Sequence, residues 1–492
     1  MASLKSLAKD TAIYGMSSIV GRFLNYLLMP LYTAKIAAST GGYGVVTEVY
    51  SYTALLFVIL TFGMETTLFR FINREDERDP TRVYTTALIA VSSVGLAFIA
   101  LVLLGLRGIA GWMGYADHPE YVWMMATAVA LDAFQAIPFC YLRYQKRPMK
   151  FAVLKLGFIF LNITLNLLFF LVLPAVMEDF VVKVDYVFAI NLACTGLITF
   201  GFWKELFGVR WRLDKALLRR MLGYAWPILV LGIAGILNQT ADKILFPQLV
   251  PGQEGKVQLG IYGAAVKIAM IMALITQAFR YAYEPFVFAA TKEGDSTDNR
   301  RTYALTMKFF IIFTLFAFLA VVAYLEVIRH IIGRDYWEGL KTVPIVMVAE
   351  ILMGIYFNLS FWYKLTDRTI WGTWFSGAGC VVLLACNVLF VPQYGYMACA
   401  WAGVAGYGTA MMLSYFVGQR YYPIPYPLRS IALYVLLAAV LYAVMAFVPH
   451  LTASTPIHLL VNTVCLVLFL TYVVCTDFPL SRLPWVGKYV RR

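Results

Sequence analysis

The stretch GGYGVVTEVYSYTALLFVILTFGMETTLFRFI, residues 41–72, decides the fold class. It is longer than the ~20 apolar residues that cross a bilayer, yet it holds Glu48, Glu65 and Arg70. Each charged side chain at the centre of a bilayer costs about 2.5–3.5 kcal/mol. These charges therefore cannot face lipid, and they must pair with one another or line a water-filled cavity. The stretch is typical of a transmembrane helix with a functional polar face.

The whole chain has the composition of a membrane protein. Of its 492 residues, 61% are hydrophobic and 14% are charged, whereas soluble domains are about 45–50% apolar and about 25% charged. Apolar runs between charge clusters predict an all-α polytopic membrane protein with about fourteen transmembrane helices. The predicted spans are residues 12–36, 44–70, 83–106, 121–142, 151–173, 184–203, 221–246, 257–281, 303–325, 343–363, 370–391, 395–418, 428–448 and 457–476. Spans 7 and 8 carry polar residues in mid-segment, which predicts interrupted helices facing a cavity.

The loop charges predict the orientation. Lys and Arg concentrate in the termini and in the loops after even-numbered spans, so both termini are expected in the cytoplasm. The alternate loops hold only Arg107, Lys183, Lys256, Arg329, Arg334 and Lys341. The net charge of +13 is therefore mainly an orientation signal, and no basic stripe predicts a nucleic-acid partner. All seven cysteines lie within or beside apolar segments, so no metal site is expected.

The two halves of the chain share a pattern. The motif GYG at residues 42–44 opens span 2, and GIYG at 260–263 opens span 8. Four residues beyond the last glycine lie Glu48 and Lys267, and a glutamate follows in each half at the same spacing. This register predicts two pseudo-symmetric six-helix lobes around a central cavity, related by an axis along the membrane normal, plus two C-terminal helices. The predicted boundaries are 1–210 for spans 1–6, 211–420 for spans 7–12, and 421–492 for spans 13–14 with the cytoplasmic tail.

The same segments resemble a known family. Residues 41–72 look like the second span of the Wzx-type polysaccharide flippases, and residues 227–247 and 260–286 look like their spans 7 and 8. These flippases belong to the multidrug/oligosaccharidyl-lipid/polysaccharide (MOP) exporter superfamily. The resemblance implies alternating access and export of an undecaprenyl-pyrophosphate-linked oligosaccharide to the outer leaflet, for surface polysaccharide or lipopolysaccharide such as O-antigen. It also implies the bacterial inner (cytoplasmic) membrane, with membrane lipids and glycan polymerase or glycosyltransferases as further partners.

Other functions stay open at this point. An ion-coupled multidrug exporter and a lipid II flippase belong to the same superfamily, and the motifs do not separate them from a polysaccharide flippase. An integral membrane glycan-processing enzyme is disfavoured, because the longest outward loop, 326–342, has no paired carboxylates. The chain has no G-x-x-x-x-G-K-[ST] motif for ATP. We therefore expect no enzyme activity and no cofactor, with H⁺ or Na⁺ as the candidate coupling ions.

The deepest arginines predict a phosphate-binding set. It comprises Arg22, Asn25, Arg70 and Arg280, and Arg22 and Asn25 share one face of span 1 because they lie three residues apart. The planar guanidinium binds phosphate oxygens in pairs and stays charged when it is partly desolvated. Structural ion pairing is the alternative role for these arginines.

The mid-span acids predict ion coupling. The candidates are Asp242, Glu65 and Glu284, because a partly buried carboxylate can take up a proton or bind Na⁺. Asn238 lies one turn before Asp242 and shares its helix face, so the two can offer oxygens to a cation. Lys243 follows directly, about 100° around the helix, and can therefore pair elsewhere. Neutralising nearby arginines is the alternative role of the acids.

The remaining intramembrane charges have two predicted roles. Glu48 and Lys267 occupy equivalent repeat positions with opposite sign, which predicts a bridge between the lobes that breaks when the cavity opens. Lys35, Lys155 and Lys308 lie within about two turns of a span end, so we expect them to extend toward the membrane surface.

Overall fold

A computed structural model describes residues 26–73, 79–291, 297–366, 368–452 and 454–477, with the side chains of 281, 282, 284–291, 297 and 298 excluded. Within these ranges the secondary structure is helical, with no strand. The helices of eight or more residues are Leu28–Lys35, Gly42–Thr61, Met64–Ile72, Pro80–Leu104, Pro119–Tyr144, Pro148–Leu167, Asp185–Phe200, Lys215–Leu249, Gln253–Ala269, Ile271–Thr291, Thr297–Ala323, the 3₁₀ helix Arg334–Thr342, Val343–Leu359, Ile370–Tyr394, Tyr396–Tyr421, Leu428–Leu451 and Thr455–Asp477. The all-α prediction is confirmed.

The helices reproduce most of the predicted spans. Eleven helical segments among the described residues are long and apolar enough to cross a membrane. Asp185–Phe200, at predicted span 6, is apolar but shorter, and Tyr396–Tyr421, at span 12, is not among the eleven. Span 1 is described only from residue 26. The chain is therefore a multi-pass membrane protein, and the count of fourteen stays a prediction.

The helix interruptions differ from those expected. Span 2 breaks at Phe62 and Gly63, which have left-handed φ angles of 34° and 72°. A Cβ at Gly63 would lie 3.0 Å from the backbone oxygen of Ala225, so this glycine also permits close approach of span 7. Span 8 is interrupted after Ala269, as predicted. Span 7 is one continuous helix, Lys215–Leu249, and the interruption expected there is wrong.

The chain divides into two compact units. In the described part, the first unit runs to Ala264 and includes Asn387–Tyr396. Its central helix is Pro119–Tyr144, which packs against the helices of spans 2, 3, 5 and 6. Of its apolar window, 72% is buried inside the protein, a larger share than in any other candidate span of the described chain. The predicted lobe boundaries at 210 and 420 stay predictions.

The second unit is organised around the helix of span 9. This unit comprises Ala265–Cys386 and the chain from Met397 onward. Thr297–Ala323 packs against the second half of span 8, the span 10 helix and both C-terminal helices. Aromatic side chains, including Tyr303 and Trp362, form a buried cluster in this unit.

The glycine motifs of the predicted repeat contact each other within the first unit. A Cβ at Gly260 would lie 2.9 Å from the backbone nitrogen of Gly44, and a Cβ at Gly44 would overlap the carbonyl of Lys256. A Cβ at Gly263 would overlap the side chain of Thr47. The starts of spans 2 and 8 therefore touch backbone to backbone, which is the packing that small residues permit between membrane helices.

This contact predicts that Gly44→Ala destabilises the protein. The added methyl meets backbone atoms that no side-chain rotation can move, so the free energy of unfolding should fall by about 1–3 kcal/mol. Thermal unfolding of the purified protein in detergent measures the change. Gly111→Ala is the matched control, because a Cβ there has nothing within 4 Å. Equal midpoints for both variants would contradict the close contact.

Candidate functional site

Four charged side chains from spans 2, 4 and 5 form a network inside the first unit. Arg143 Nη2 lies 3.6 Å from Glu65 Oε2, and Lys155 lies within electrostatic range of Asp132, Glu65 and Arg143. Thr195 Oγ1 donates to Asp132 Oδ1 at 3.4 Å. Two acids and two bases balance, so the network has no net formal charge. Such compensation is what allows ionic groups to lie within a membrane helix bundle.

This network changes the interpretation of one predicted coupling acid. Glu65 begins the short helix Met64–Ile72 just after the break in span 2, and its side chain is about one-third exposed (36%). Its ion-pair partner is Arg143, which lies at the end of the span 4 helix. The structure therefore favours the alternative role, charge neutralisation, for Glu65, while its titration stays a prediction.

Two of the three lysines near span ends interact with carboxylates. Lys155 Nζ lies 4.1 Å from the ring centroid of Phe139, beside the buried acids. Lys308 is 8% exposed and forms an ion pair with Asp477. Both lysines thus interact with carboxylates of their own unit, and their extension to the membrane surface stays a prediction. Lys35 is exposed at the last residue of its helix.

Asp242 is the centre of a second polar cluster in the first unit. The side chain is buried, and Lys243 Nζ lies 2.9 Å from Oδ1 and 3.0 Å from Oδ2. Tyr262 donates its hydroxyl to Oδ2 at 2.8 Å. Lys243 also donates to the backbone oxygen of Gln239 at 3.0 Å. Lys243 thus pairs with its neighbour rather than elsewhere, because its flexible chain folds back across the 100° between them.

Asn238 lies one turn before Asp242, as the helical spacing requires. It is 5% exposed, and its Nδ2 donates to the backbone oxygen of Ala234 at 3.0 Å. The Lys243 ammonium occupies the position at the Asp242 carboxylate that a coupling cation would take. The role of Asp242 in ion coupling stays a prediction.

Glu48 forms a third polar contact in the first unit. It is 2% exposed and accepts a hydrogen bond from the hydroxyl of Tyr115. Burial raises the pKa of Tyr115, and the Glu48 carboxylate raises it further, so the phenol stays the donor. Lys256 Nζ donates to the backbone oxygen of Gly114 at 3.0 Å and lies 4.7 Å from the Tyr115 ring. Lys267 belongs to the second unit, and its predicted bridge to Glu48 stays a prediction.

The predicted phosphate-binding arginines are described in part. The Arg70 guanidinium lies 4.1 Å from the ring centroid of Tyr224, and the Arg280 guanidinium lies 4.4 Å from that of Phe357 in the second unit. An aromatic face stabilises a cation without neutralising it. Three predicted positions lie outside the described residues or side chains: Arg22, Asn25 and the side chain of Glu284.

Several partners of these residues were not predicted from the sequence. Tyr115 contacts Glu48 from another segment of the chain, and Asp132 and Lys155, which interact electrostatically, lie on different spans. Tyr262 is the exception, because it belongs to the GIYG motif that opens span 8. The hydroxyl of Tyr262 could therefore have been recognised from the sequence as a candidate hydrogen-bond donor to a buried acid.

A group at the predicted outward end could hold a metal ion by geometry alone. His118, Glu120 and Asp185 bring their ligand atoms within 4.8 Å of one another. His118 Nδ1 lies 2.8 Å from Glu120 Oε1, and its ring stacks on Tyr121 at 5.0 Å. The sequence predicted no metal site, and we assign this group no role.

The balanced network predicts how paired substitutions behave. Asp132→Asn or Lys155→Met alone leaves the four-residue network with a net charge, which should lower the free energy of unfolding by about 3 kcal/mol. The double variant should recover most of that loss, because it removes both charges together. Glu338→Gln and Lys341→Met form the control cycle, since that exposed pair at 2.9 Å should contribute less than about 1 kcal/mol. Additive losses in the double variant would show that Asp132 and Lys155 do not interact.

The chain is similar to a curated relative and to solved structures of two transport proteins. A protein of the Lsg locus of Haemophilus influenzae (strain ATCC 51907 / DSM 11121 / KW20 / Rd) is 19% identical over 423 residues, which are 84% of this chain and 98% of the relative. The solved structure of the lipid II flippase MurJ in an inward closed conformation matches with a TM-score of 0.72 and 12% identity, over 94% of this chain and 98% of that one. An inward-facing multidrug resistance MATE family transporter of the MOP superfamily matches with a TM-score of 0.65 and 15% identity, over 81% and 93%.

These findings agree at two levels. The structural matches show that the chain shares the fold of these two solved proteins, in agreement with the predicted resemblance. The model of the family described as polysaccharide biosynthesis protein matches residues 7–281, more than half of the chain. The chain belongs to the polysaccharide biosynthesis protein family.

Proposed function

We propose that the protein is a flippase for an undecaprenyl-pyrophosphate-linked oligosaccharide. It moves this lipid from the inner to the outer leaflet by alternating access, for surface polysaccharide or lipopolysaccharide biosynthesis. The family, the transporter fold and the placement of intramembrane charges support this proposal. We further propose that it acts in the bacterial inner membrane with both termini in the cytoplasm, and that glycosyltransferases or a glycan polymerase are its partners.

The observation that carries the proposal is the environment of Arg70. Its side chain is exposed at the end of the Met64–Ile72 helix, and no carboxylate oxygen of the described residues lies within 4 Å of it. Glu65, one helix turn earlier, is already paired with Arg143. Among the described residues, the Tyr224 ring, 4.1 Å from the guanidinium, is therefore the contact that stabilises the Arg70 charge.

An uncompensated guanidinium in this position suits an anionic lipid. Its fork can bind two oxygens of a pyrophosphate, and charge-assisted hydrogen bonds of this kind are about twice as strong as neutral ones. The charge pattern predicts that this end of span 2 faces the cytoplasm, where a lipid-linked sugar enters. We assign the same role to Arg280 in the second unit and to Arg22 with Asn25. A cationic drug would be repelled by Arg70, which favours the lipid substrate over multidrug export.

Substitution of Arg70 tests the function. Arg70→Gln should slow export about ten- to hundredfold, because a hydrogen bond to a charged group contributes about 1.5–3 kcal/mol. Arg70→Lys should recover only part, since an ammonium lacks the fork. Translocation of a fluorescent undecaprenyl-pyrophosphate oligosaccharide in reconstituted vesicles, together with surface glycan in cells, measures export.

The control for this experiment is Arg107→Gln, which removes an exposed arginine from a predicted outward loop. It should leave export unchanged at equal protein levels. Full export by Arg70→Gln would contradict the assigned role. Transport of lipid II but not of the oligosaccharide lipid would show that the substrate class is wrong.

Asp242 supplies a separate prediction about energy coupling. We propose that H⁺ or Na⁺ at Asp242 releases Lys243 and so drives the transport cycle, with Glu65 and Glu284 as further acids. Asp242→Asn preserves the shape but removes the titrating group. In vesicles it should leave substrate binding nearly intact and abolish the response to an imposed pH or Na⁺ gradient.

The matched control is Glu254→Gln, which removes an exposed acid from the first turn of the Gln253–Ala269 helix. Its transport should respond to the gradients as the wild type does. Wild-type transport that ignores both gradients would show that Asp242 and the other acids are structural.

A further inference from the structure

A cavity of about 530 Å³ lies in the first unit at the end predicted to face the cytoplasm. The connection between spans 6 and 7 forms one of its walls. Five basic side chains line it: Arg82, Arg147, Lys204, Arg210 and Arg212. Its volume falls within the ~300–1,000 Å³ that is typical of small-ligand sites.

The two acids that line the cavity are already engaged. Glu205 is 3% exposed, and its carboxylate lies 2.6 Å from Lys150 Nζ and 3.5 Å from Arg147 Nη1. Asp79 caps the Pro80–Leu104 helix, because its Oδ1 accepts the backbone N–H groups of Thr81 and Arg82 at 3.1 and 3.2 Å. The lining thus contains five basic side chains against two acids, and Glu205 already lies beside two bases.

Three of the five cations have no acidic partner. Arg82 forms an ion pair with Asp214, and Arg147 lies against Glu205. Within the described ranges, no carboxylate oxygen lies within 4 Å of Lys204, Arg210 or Arg212, although all three line the same cavity. Among the described residues, the cavity therefore has a local excess of positive charge.

The wall that carries these cations is fixed in place by hydrogen bonds. The Tyr84 hydroxyl donates to the backbone oxygen of Glu205, and Thr85 Oγ1 donates to that of Arg212, both at 3.1 Å. Tyr84 also stacks on Tyr141 with ring centroids 4.0 Å apart. The basic segment is thus held against the bundle, so a ligand would meet a preorganised site and lose less entropy on binding.

We propose that this cavity binds a phosphate group, carried either by an anionic lipid headgroup or by a soluble phosphate compound. Arginine forks match phosphate oxygens, and lysine adds a point charge. Basic pockets at the cytoplasmic ends of membrane helices suit anionic lipid headgroups for this reason. None of the residues that line this cavity belongs to the proposed pyrophosphate-binding set of Arg22, Asn25, Arg70 and Arg280.

The test compares two triple variants of the full-length protein in detergent. The site variant is Lys204→Gln/Arg210→Gln/Arg212→Gln. The control variant is Lys215→Gln/Arg219→Gln/Arg220→Gln, which removes the same charge from exposed positions that follow in the chain and do not line the cavity. In one arm, native mass spectrometry measures retention of phosphatidylglycerol against phosphatidylcholine. In the other, calorimetry measures binding of sodium pyrophosphate against sodium chloride at equal ionic strength.

The wild-type protein should bind either phosphatidylglycerol or pyrophosphate. The ligand that binds shows whether the phosphate belongs to a lipid headgroup or to a soluble compound. The site variant should bind this ligand about tenfold more weakly, and the control variant should stay within about twofold of wild type. If the triple variant does not fold, Arg210→Gln alone should weaken binding about threefold. Equal losses in both triple variants, or no phosphate-dependent binding in either arm, would overturn the proposal.

Discussion

The structure depends on the constraint that charge inside a helix bundle must be compensated or hydrated. Removing one ionic group from water and leaving it unpaired costs several kcal/mol, which is comparable with much of the stability of a folded protein. The first unit meets this constraint with the balanced group of Glu65, Asp132, Arg143 and Lys155, and with the adjacent pair Asp242 and Lys243. Arg70 lies outside this scheme, since no carboxylate oxygen of the described residues lies within 4 Å of it.

The helices were predictable because hydrophobic length is a strong local signal. The boundaries of span 4, predicted at 121–142 and found at Pro119–Tyr144, differ by only two residues at each end. The break at Phe62 and Gly63 was not predicted, because a single glycine within an apolar run does not distinguish an interruption from an unbroken helix. The packing of span 7 against this position supplies the missing reason, and that contact is not a property of the local sequence.

The candidate site was predicted less completely than the fold. Spacing along one helix placed Asn238 and Asp242 together, since a four-residue separation fixes a shared face. It did not identify the partner of Lys155, which lies on a different span, or the Tyr115 hydroxyl at Glu48. Pairing between spans depends on helix rotation and depth, and neither is determined by the order of residues in one segment. Flexible side chains add a further uncertainty, as the folded-back Lys243 shows.

The backbone contact between Gly44 and Gly260 also restricts how this protein can vary in evolution. Most buried positions have a mild replacement, because aliphatic side chains of similar volume can exchange at small cost. Glycine has none, since every other amino acid adds at least a Cβ, and at these two positions that atom would meet backbone. A larger residue at either position can therefore be accommodated only if the two helices move apart. That movement requires compensating substitutions along both helices. We therefore expect Gly44 and Gly260 to change in evolution only together with several other residues, and not through single neutral substitutions.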